Sequence, residues 1–330
     1  MELEKIKIYV TKRVADILQK DTENFDFFKK DGITPNKNAF LTTLILNYFE
    51  EYQQKQEKIN SLLKNILEEN TSFEDAKIKE LSNLINNKIN KEISINSVEK
   101  FDCLVSLKPT KDSQSIISYI EEYLLNNRSL SEYFRNMFIA YTALPQDMRE
   151  QIIFKSQFNA INEAIKNGNK IFINTKATNS NRMEVLPYTF ANSKEEIHLY
   201  LLYQNRQTFK SIKLSRIQSV VILDKKEKIS PKGIEIFNKM IKYGPQFYYE
   251  ENEEDVVLKL SQNGQMLFRK MYVHRPIPES INKNMYTFKC AHTQIMQYFS
   301  RFGGEVEIIS PQSIKENLYK FHNEYILKNQ

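Results

Sequence analysis

Lys5, Lys7 and Tyr9 are the first residues whose spacing suggests chemistry. In Lys5-Ile-Lys-Ile-Tyr-Val-Thr11 they alternate with Ile6, Ile8 and Val10, and a strand sends alternate side chains to opposite faces. One face is then core, and the other presents two ammoniums and a phenol, groups suited to phosphate oxygens and base edges. Catalysis has no comparable signature. An enzyme needs a poised carboxylate pair, a nucleophile with its base, or a metal cluster, and no motif supplies one. Cys103 and Cys290 lie far apart without a CxxC spacing, and none of the four histidines sits in HExxH. With seven glycines and neither GxGxxG nor a P-loop, the usual backbone cradles for nucleotide phosphates are missing. The reading is a protein without catalytic residues, metal or cofactor.

At 330 residues and 41% hydrophobic content the chain can bury a sizeable core, and its length suggests two or three domains. It contains no run of eighteen apolar residues and no signal-like N-terminal segment, so a cytoplasmic location is expected. The net charge of +6 is unevenly placed, with 27 basic and 19 acidic residues in 143–330 and a balance before that. A polyanionic partner for the C-terminal half follows from that placement.

The elements that position these residues are legible in outline. A helical period runs from about Lys12 to Phe28, Asp31-Gly-Ile-Thr-Pro35 breaks it, and a second helix from Asn36 to Tyr52 carries Phe40, Leu41, Leu44, Ile45, Tyr48 and Phe49 inward. Strand, helix, turn and helix over residues 1–52 resemble the ribbon-helix-helix DNA-binding fold, whose strand pairs with a second copy. That resemblance implies Lys5, Lys7 and Tyr9 in the major groove of an operator and the helix start near Asn36 and Asn38 at a phosphate. Residues 53–97 read as a helical connector, with a capping-box match at Thr71-Ser-Phe-Glu74. Residues 98–166 then repeat the pattern: a strand over 99–107, a helix over 113–126, a turn, a helix over 131–143, and linker helices. If the copies pair within one chain, Asp102, Leu104 and Ser106 oppose Lys5, Lys7 and Tyr9, and that second strand is poor at reading DNA. Otherwise the first copies pair in a homodimer.

From Lys170 the period changes to that of strands. Lys170 to Asn174, a turn at 179–182, Ile197 to Tyr203, the polar break Gln204-Asn-Arg-Gln207, Phe209 to Leu214, and the apolar run Val220 to Leu223 follow in order. The break predicts a hairpin, and the apolar run a strand covered on both faces. A small antiparallel barrel over 167–230 is the expected architecture. Pro187-Tyr188, Leu199-Tyr200-Leu201 and Leu214-Ser-Arg-Ile217 resemble the WYL domain, an Sm-like barrel that senses ligands in bacteria. Leu199 departs from that motif's Trp. The resemblance implies ligand contacts at Tyr200 and Arg216, with Arg206 in the hairpin turn in support, and a nucleic acid or nucleotide as ligand. Residues 231–330 read as an α/β extension that follows such barrels and helps them dimerise, with Arg301 at the rim and an acidic run at 250–255.

The expectation is therefore an α+β protein: a helical, ribbon-helix-helix-like N-terminal half, a small Sm-like β-barrel and a C-terminal α/β extension. Functionally it reads as a ligand-responsive transcription regulator that binds DNA as a homodimer and touches no membrane. The alternative is a single-stranded-RNA-binding accessory protein of an RNA-targeting CRISPR effector.

Overall fold

Strand β1 (Ile6–Val10) takes the expected alternation, with Ile8 and Val10 fully buried and Lys7 and Tyr9 outward. The computed structural model describes residues 4–93, 100–125, 128–176, 182–193, 198–247 and 253–328. These fall into two units, residues 1–155 and 156–330.

In unit 1, Thr11 caps helix α1 (Lys12–Asn24), its hydroxyl accepting from the Val14 amide. This helix stops short of the expected Phe28 because Asp26 turns left-handed, at φ 59°, and Phe28 bridges to Pro35. Asn36 caps α2 (Lys37–Asn70), which runs straight through the boundary expected at residue 52. No Gly or Pro interrupts 37–70, so nothing in the backbone stops the helix where its composition turns from apolar to charged. Helix α3 (Asp75–Ile93) packs back along α2, and the Asn86 amide donates to Gln56 at 3.1 Å and Asn60 at 2.8 Å.

Strand β2 (Cys103–Leu107) opens the second copy, followed by α4 (Lys111–Tyr119) with a π-helical turn to Leu124, then α5 (Leu130–Thr142) and α6 (Gln146–Ile153). β1 and β2 pair antiparallel within one chain, Lys7 opposite Ser106 and Tyr9 opposite Leu104. Their inward residues Ile8, Val10, Val105 and Leu107 join an aromatic core of Phe25, Phe40, Tyr48, Tyr52, Tyr133, Phe134, Phe138 and Tyr141. Burial pushes the Tyr52 phenol up to about 12.

One charged cluster lies inside that core. Arg149 donates to both oxygens of Asp21, at 2.7 and 3.0 Å, and Tyr141 donates its hydroxyl to the same carboxylate at 3.0 Å. Asp21 is fully buried, so α1, α5 and α6 are tied by one satisfied ionic knot.

In unit 2, α7 (Lys155–Asn167) precedes β3 (Asn169–Thr175), β4 (Arg182–Asn192), β5 (Leu199–Asn205), β6 (Thr208–Lys213) and β7 (Ile217–Lys226). They form a five-stranded antiparallel sheet in the order β6-β5-β4-β3-β7. The β5–β6 hairpin is as expected. Closure into a barrel is not seen among the described residues, because the edge strands β6 and β7 do not pair with each other. The apolar run in β7 is not covered on both faces either: β7 lies at that edge and Val221 is 50% exposed. The turn expected at 179–182 lies outside the described residues up to Asn181, as do residues 250–252 of the acidic run.

Pro187, unable to donate an amide, coincides with a register shift between Pro187 and Thr189. Tyr188 in that irregularity stacks on Phe237 of α8 (Pro231–Tyr243), centroids 4.7 Å apart. Phe209 meets the same ring edge-on. Beyond α8, strands β8 (Val256–Leu260), β9 (Ser280–Asn282), β10 (Met285–Phe288) and β11 (Val306–Ser310) make a second antiparallel sheet, with α9 (Gln262–Lys270), α10 (His292–Phe299) and α11 (Gln312–Lys328). A single buried cluster runs from Leu202 and Phe209 through Phe237 to Phe268, Phe288 and Phe299. The 167–230 and 231–330 segments thus share a core. No helix among the described residues is long and apolar enough to cross a membrane.

Candidate nucleic-acid interface

The β1–β2 ribbon presents an uneven outer face. Lys5 and Lys7 are exposed and Tyr9 is 45% exposed on one strand, while Asp102, Leu104 and Ser106 are exposed on the other. Only one strand therefore offers cations. Arg135 of α5 holds the ribbon from the side: its guanidinium donates to the Tyr9 carbonyl at 2.6 Å and lies over the Phe101 ring at 4.7 Å.

Asn36 and Asn38 are occupied in positioning α2. The Asn36 side chain accepts from the Ala39 amide at 3.2 Å. The Asn38 carboxamide donates to the Lys108 carbonyl at 3.1 Å and accepts from the Lys108 amide at 2.7 Å. It thus imitates a strand neighbour and pins the helix start to the end of β2.

In unit 2, Tyr200 sits near the start of β5, in register with Ala191 and Lys213, and is 9% exposed. Its ring meets His198 edge-on at 6.4 Å. Arg216 is exposed at the end of a 3-10 turn, Leu214–Arg216, between buried Ser215 and Ile217. The Arg216 carbonyl accepts from the Lys176 amide at 3.1 Å. Because Lys213 pairs with Tyr200 and Arg216 follows three residues later, these two belong to the same end of the sheet. Arg206 does not: it lies in the turn after Asn205, and six residues of extended strand from Tyr200 to Arg206 span about 20 Å.

Arg206 instead lines a cleft of about 660 Å³ with Lys170, Arg182, Met183, Glu184, Asn205, Thr208 and Lys210. This grouping was invisible in the sequence, because its cations come from β3, β4, the hairpin turn and β6, and only the order of strands assembles them. Lys170 pairs with Glu227 at 2.5 Å and Glu184 at 3.6 Å, and the Glu227 carboxylate holds its ammonium above the usual range. Arg301 is exposed after α10. His292 is a structural residue: its amide donates to Glu253, and its ring nitrogen is 2.8 Å from the Glu254 carbonyl.

Charge divides sharply between the units. Residues 1–155 hold 22 basic and 24 acidic residues, and residues 156–330 hold 25 and 17. The net positive charge thus lies in unit 2.

Together these features define a mixed helix-and-sheet protein built on antiparallel sheets, with its surplus of positive charge in unit 2. No protein-family profile and no curated protein matches the sequence. A solved structure described as the crystal structure of a CRISPR Cas-related protein aligns over 100% of this chain and 95% of its own, at TM-score 0.66 and 20% identity. The two share a fold over their whole length. Proteasome accessory factor B/C (PafBC) of Arthrobacter aurescens aligns over 65% of this chain and 35% of its own, at TM-score 0.24 and 14% identity.

Proposed function

We propose that the chain is a nucleic-acid-binding accessory protein whose unit 2 holds single-stranded RNA, of the kind that accompanies an RNA-targeting CRISPR effector. The observation that carries this reading is the pairing of β1 with β2 inside one chain. A ribbon-helix-helix protein that reads the major groove presents two like strands, whereas here Asp102, Leu104 and Ser106 stand beside Lys5, Lys7 and Tyr9. Half the ribbon is unsuited to base readout, and the surplus of cations lies in unit 2. The whole-length likeness to a CRISPR Cas-related protein supports the same reading. Within it, the five-stranded sheet is a WYL-like ligand domain, Arg216 contacts a phosphate bidentately, and Tyr200 offers its hydroxyl or ring edge to a sugar or base.

Arg216→Ala is then expected to weaken RNA binding roughly tenfold, at about 1.5 kcal/mol for a charged hydrogen bond, and to make the salt dependence shallower by about one phosphate contact. Thermal stability should stay unchanged, since Arg216 is exposed. A destabilised variant with wild-type affinity would make Arg216 a structural residue.

A second reading, a ligand-responsive transcription regulator, rests on the exposed Lys5, Lys7 and Tyr9 face. Under it, Lys7→Ala costs about 1–3 kcal/mol of specific duplex-DNA binding with folding intact. Under the accessory reading, a Lys5→Ala/Lys7→Ala variant keeps its RNA affinity within about twofold, because the cations that hold the phosphates belong to unit 2 and solvent-exposed charges outside that site are screened by salt. Titration of that variant with both nucleic acids separates the two.

A further inference from the structure

We propose that the cleft lined by Lys170, Arg182, Arg206 and Lys210 is a second phosphate-binding site, which grips the phosphodiester backbone of the single strand that unit 2 holds. The proposal rests on the nucleic-acid reading of unit 2 and adds a site at the opposite end of β5 from Tyr200 and Arg216.

The cleft gathers four cations and one carboxylate around about 660 Å³, within the range of about 300–1,000 Å³ typical of ligand sites. Lys170 and Glu184 neutralise each other within the network that includes Glu227 and Lys225. Arg182, Arg206 and Lys210 have no acidic partner among the described residues, so their charge faces the cleft unanswered. Arg182 is held in place: its guanidinium lies over the Phe172 ring at 4.2 Å. Stacking occupies one face of the guanidinium and leaves its edge N–H groups, which suit phosphate oxygens.

Arg206 supplies an independent sign. Its φ is +55°, a left-handed value that glycine or asparagine takes cheaply in a tight hairpin and a long side chain does not. A turn selected only for folding favours glycine there. Backbone strain of this kind persists at binding sites, where the side chain's task outweighs its conformational cost.

The lining also argues for the occupant. Among the described residues no aromatic side chain and one apolar residue, Met183, border the cleft, so they offer no ring or slot to a base. Its chemistry recognises phosphates alone, as backbone tracking requires.

The test titrates the full chain with an RNA of about twelve nucleotides, near the upper site sizes of single-strand binders. The RNA is used with and without a 5′-phosphate, and with ATP as competitor. We expect Arg206→Gly and Lys210→Gln each to raise Kd roughly tenfold, the loss of one charged hydrogen bond, and to make the salt dependence shallower. Arg206→Gly should keep or raise Tm as the strained φ relaxes. The 5′-phosphate should be immaterial and ATP should not compete. If the wild type binds RNA and both variants match it, the cleft proposal fails while the Arg216 reading stands. Failure of the wild type to bind RNA at all overturns both. Displacement by ATP would assign the cleft to a free nucleotide and overturn the strand, and a lowered Tm with unchanged affinity would make Arg206 structural.

Discussion

Asp21→Ala is expected to cost unit 1 about 3–5 kcal/mol, the loss that follows when one partner of a buried ion pair is removed. Asp21 is fully buried and accepts from Arg149 twice and from Tyr141 once. Without it, a guanidinium with 10% side-chain exposure is left without its counter-ion, and the Tyr141 hydroxyl loses its acceptor. Tyr141→Phe removes one hydrogen bond and keeps the ion pair, so about 1–2 kcal/mol is expected. Urea unfolding of the two variants checks the order. A loss below about 1 kcal/mol for Asp21→Ala would contradict the buried knot.

The second large effect concerns the repeat. A fragment of residues 1–52 is expected to be largely unfolded or self-associated, because the strand that completes β1 is β2, at Cys103–Leu107. Ile8 and Val10 would face water, and Phe40, Tyr48 and Tyr52 would lose neighbours including Tyr133 and Tyr141. Far-UV circular dichroism and sedimentation of the fragment beside residues 1–155 measure this. A monomeric 1–52 fragment with full helix content would contradict pairing within the chain.

Both effects follow from features the sequence disclosed unequally. The alternation at Lys5–Thr11 and its echo near Cys103–Leu107 made the strands and their kinship legible, because period two is a local property. The partner of β1 was not legible, since pairing within or between chains is decided by connector geometry. The change from apolar to charged composition near residue 52 resembles a boundary, yet α2 continues to Asn70. The chemistry that ends helices, Gly or Pro, is absent there. The run Val220–Leu223 suggests a fully covered strand, but an apolar run carries no information about its place in a sheet, and β7 lies at the edge. Tyr200 and Arg216 stand out in the sequence only through motif resemblance, and the register of β5 with β6 brings them to one end of the sheet. Arg206, a supporting candidate for its place in the hairpin turn, stands six residues of strand from Tyr200, in a cleft whose remaining cations come from β3, β4 and β6. The place of Asn38 at a helix start is a local signal, and the sequence shows it. Its bonds to Lys108, seventy residues on, had no local signal.

Equilibrium binding of the full chain to single-stranded RNA and to duplex DNA of matching sequence, each at two salt concentrations, separates an RNA binder from an operator binder. RNA is expected to bind the more tightly, with an affinity that falls steeply with salt, and Arg216→Ala to weaken RNA binding without lowering Tm. Tight, sequence-selective binding to duplex DNA that Lys7→Ala abolishes, with no measurable affinity for RNA, would contradict that expectation.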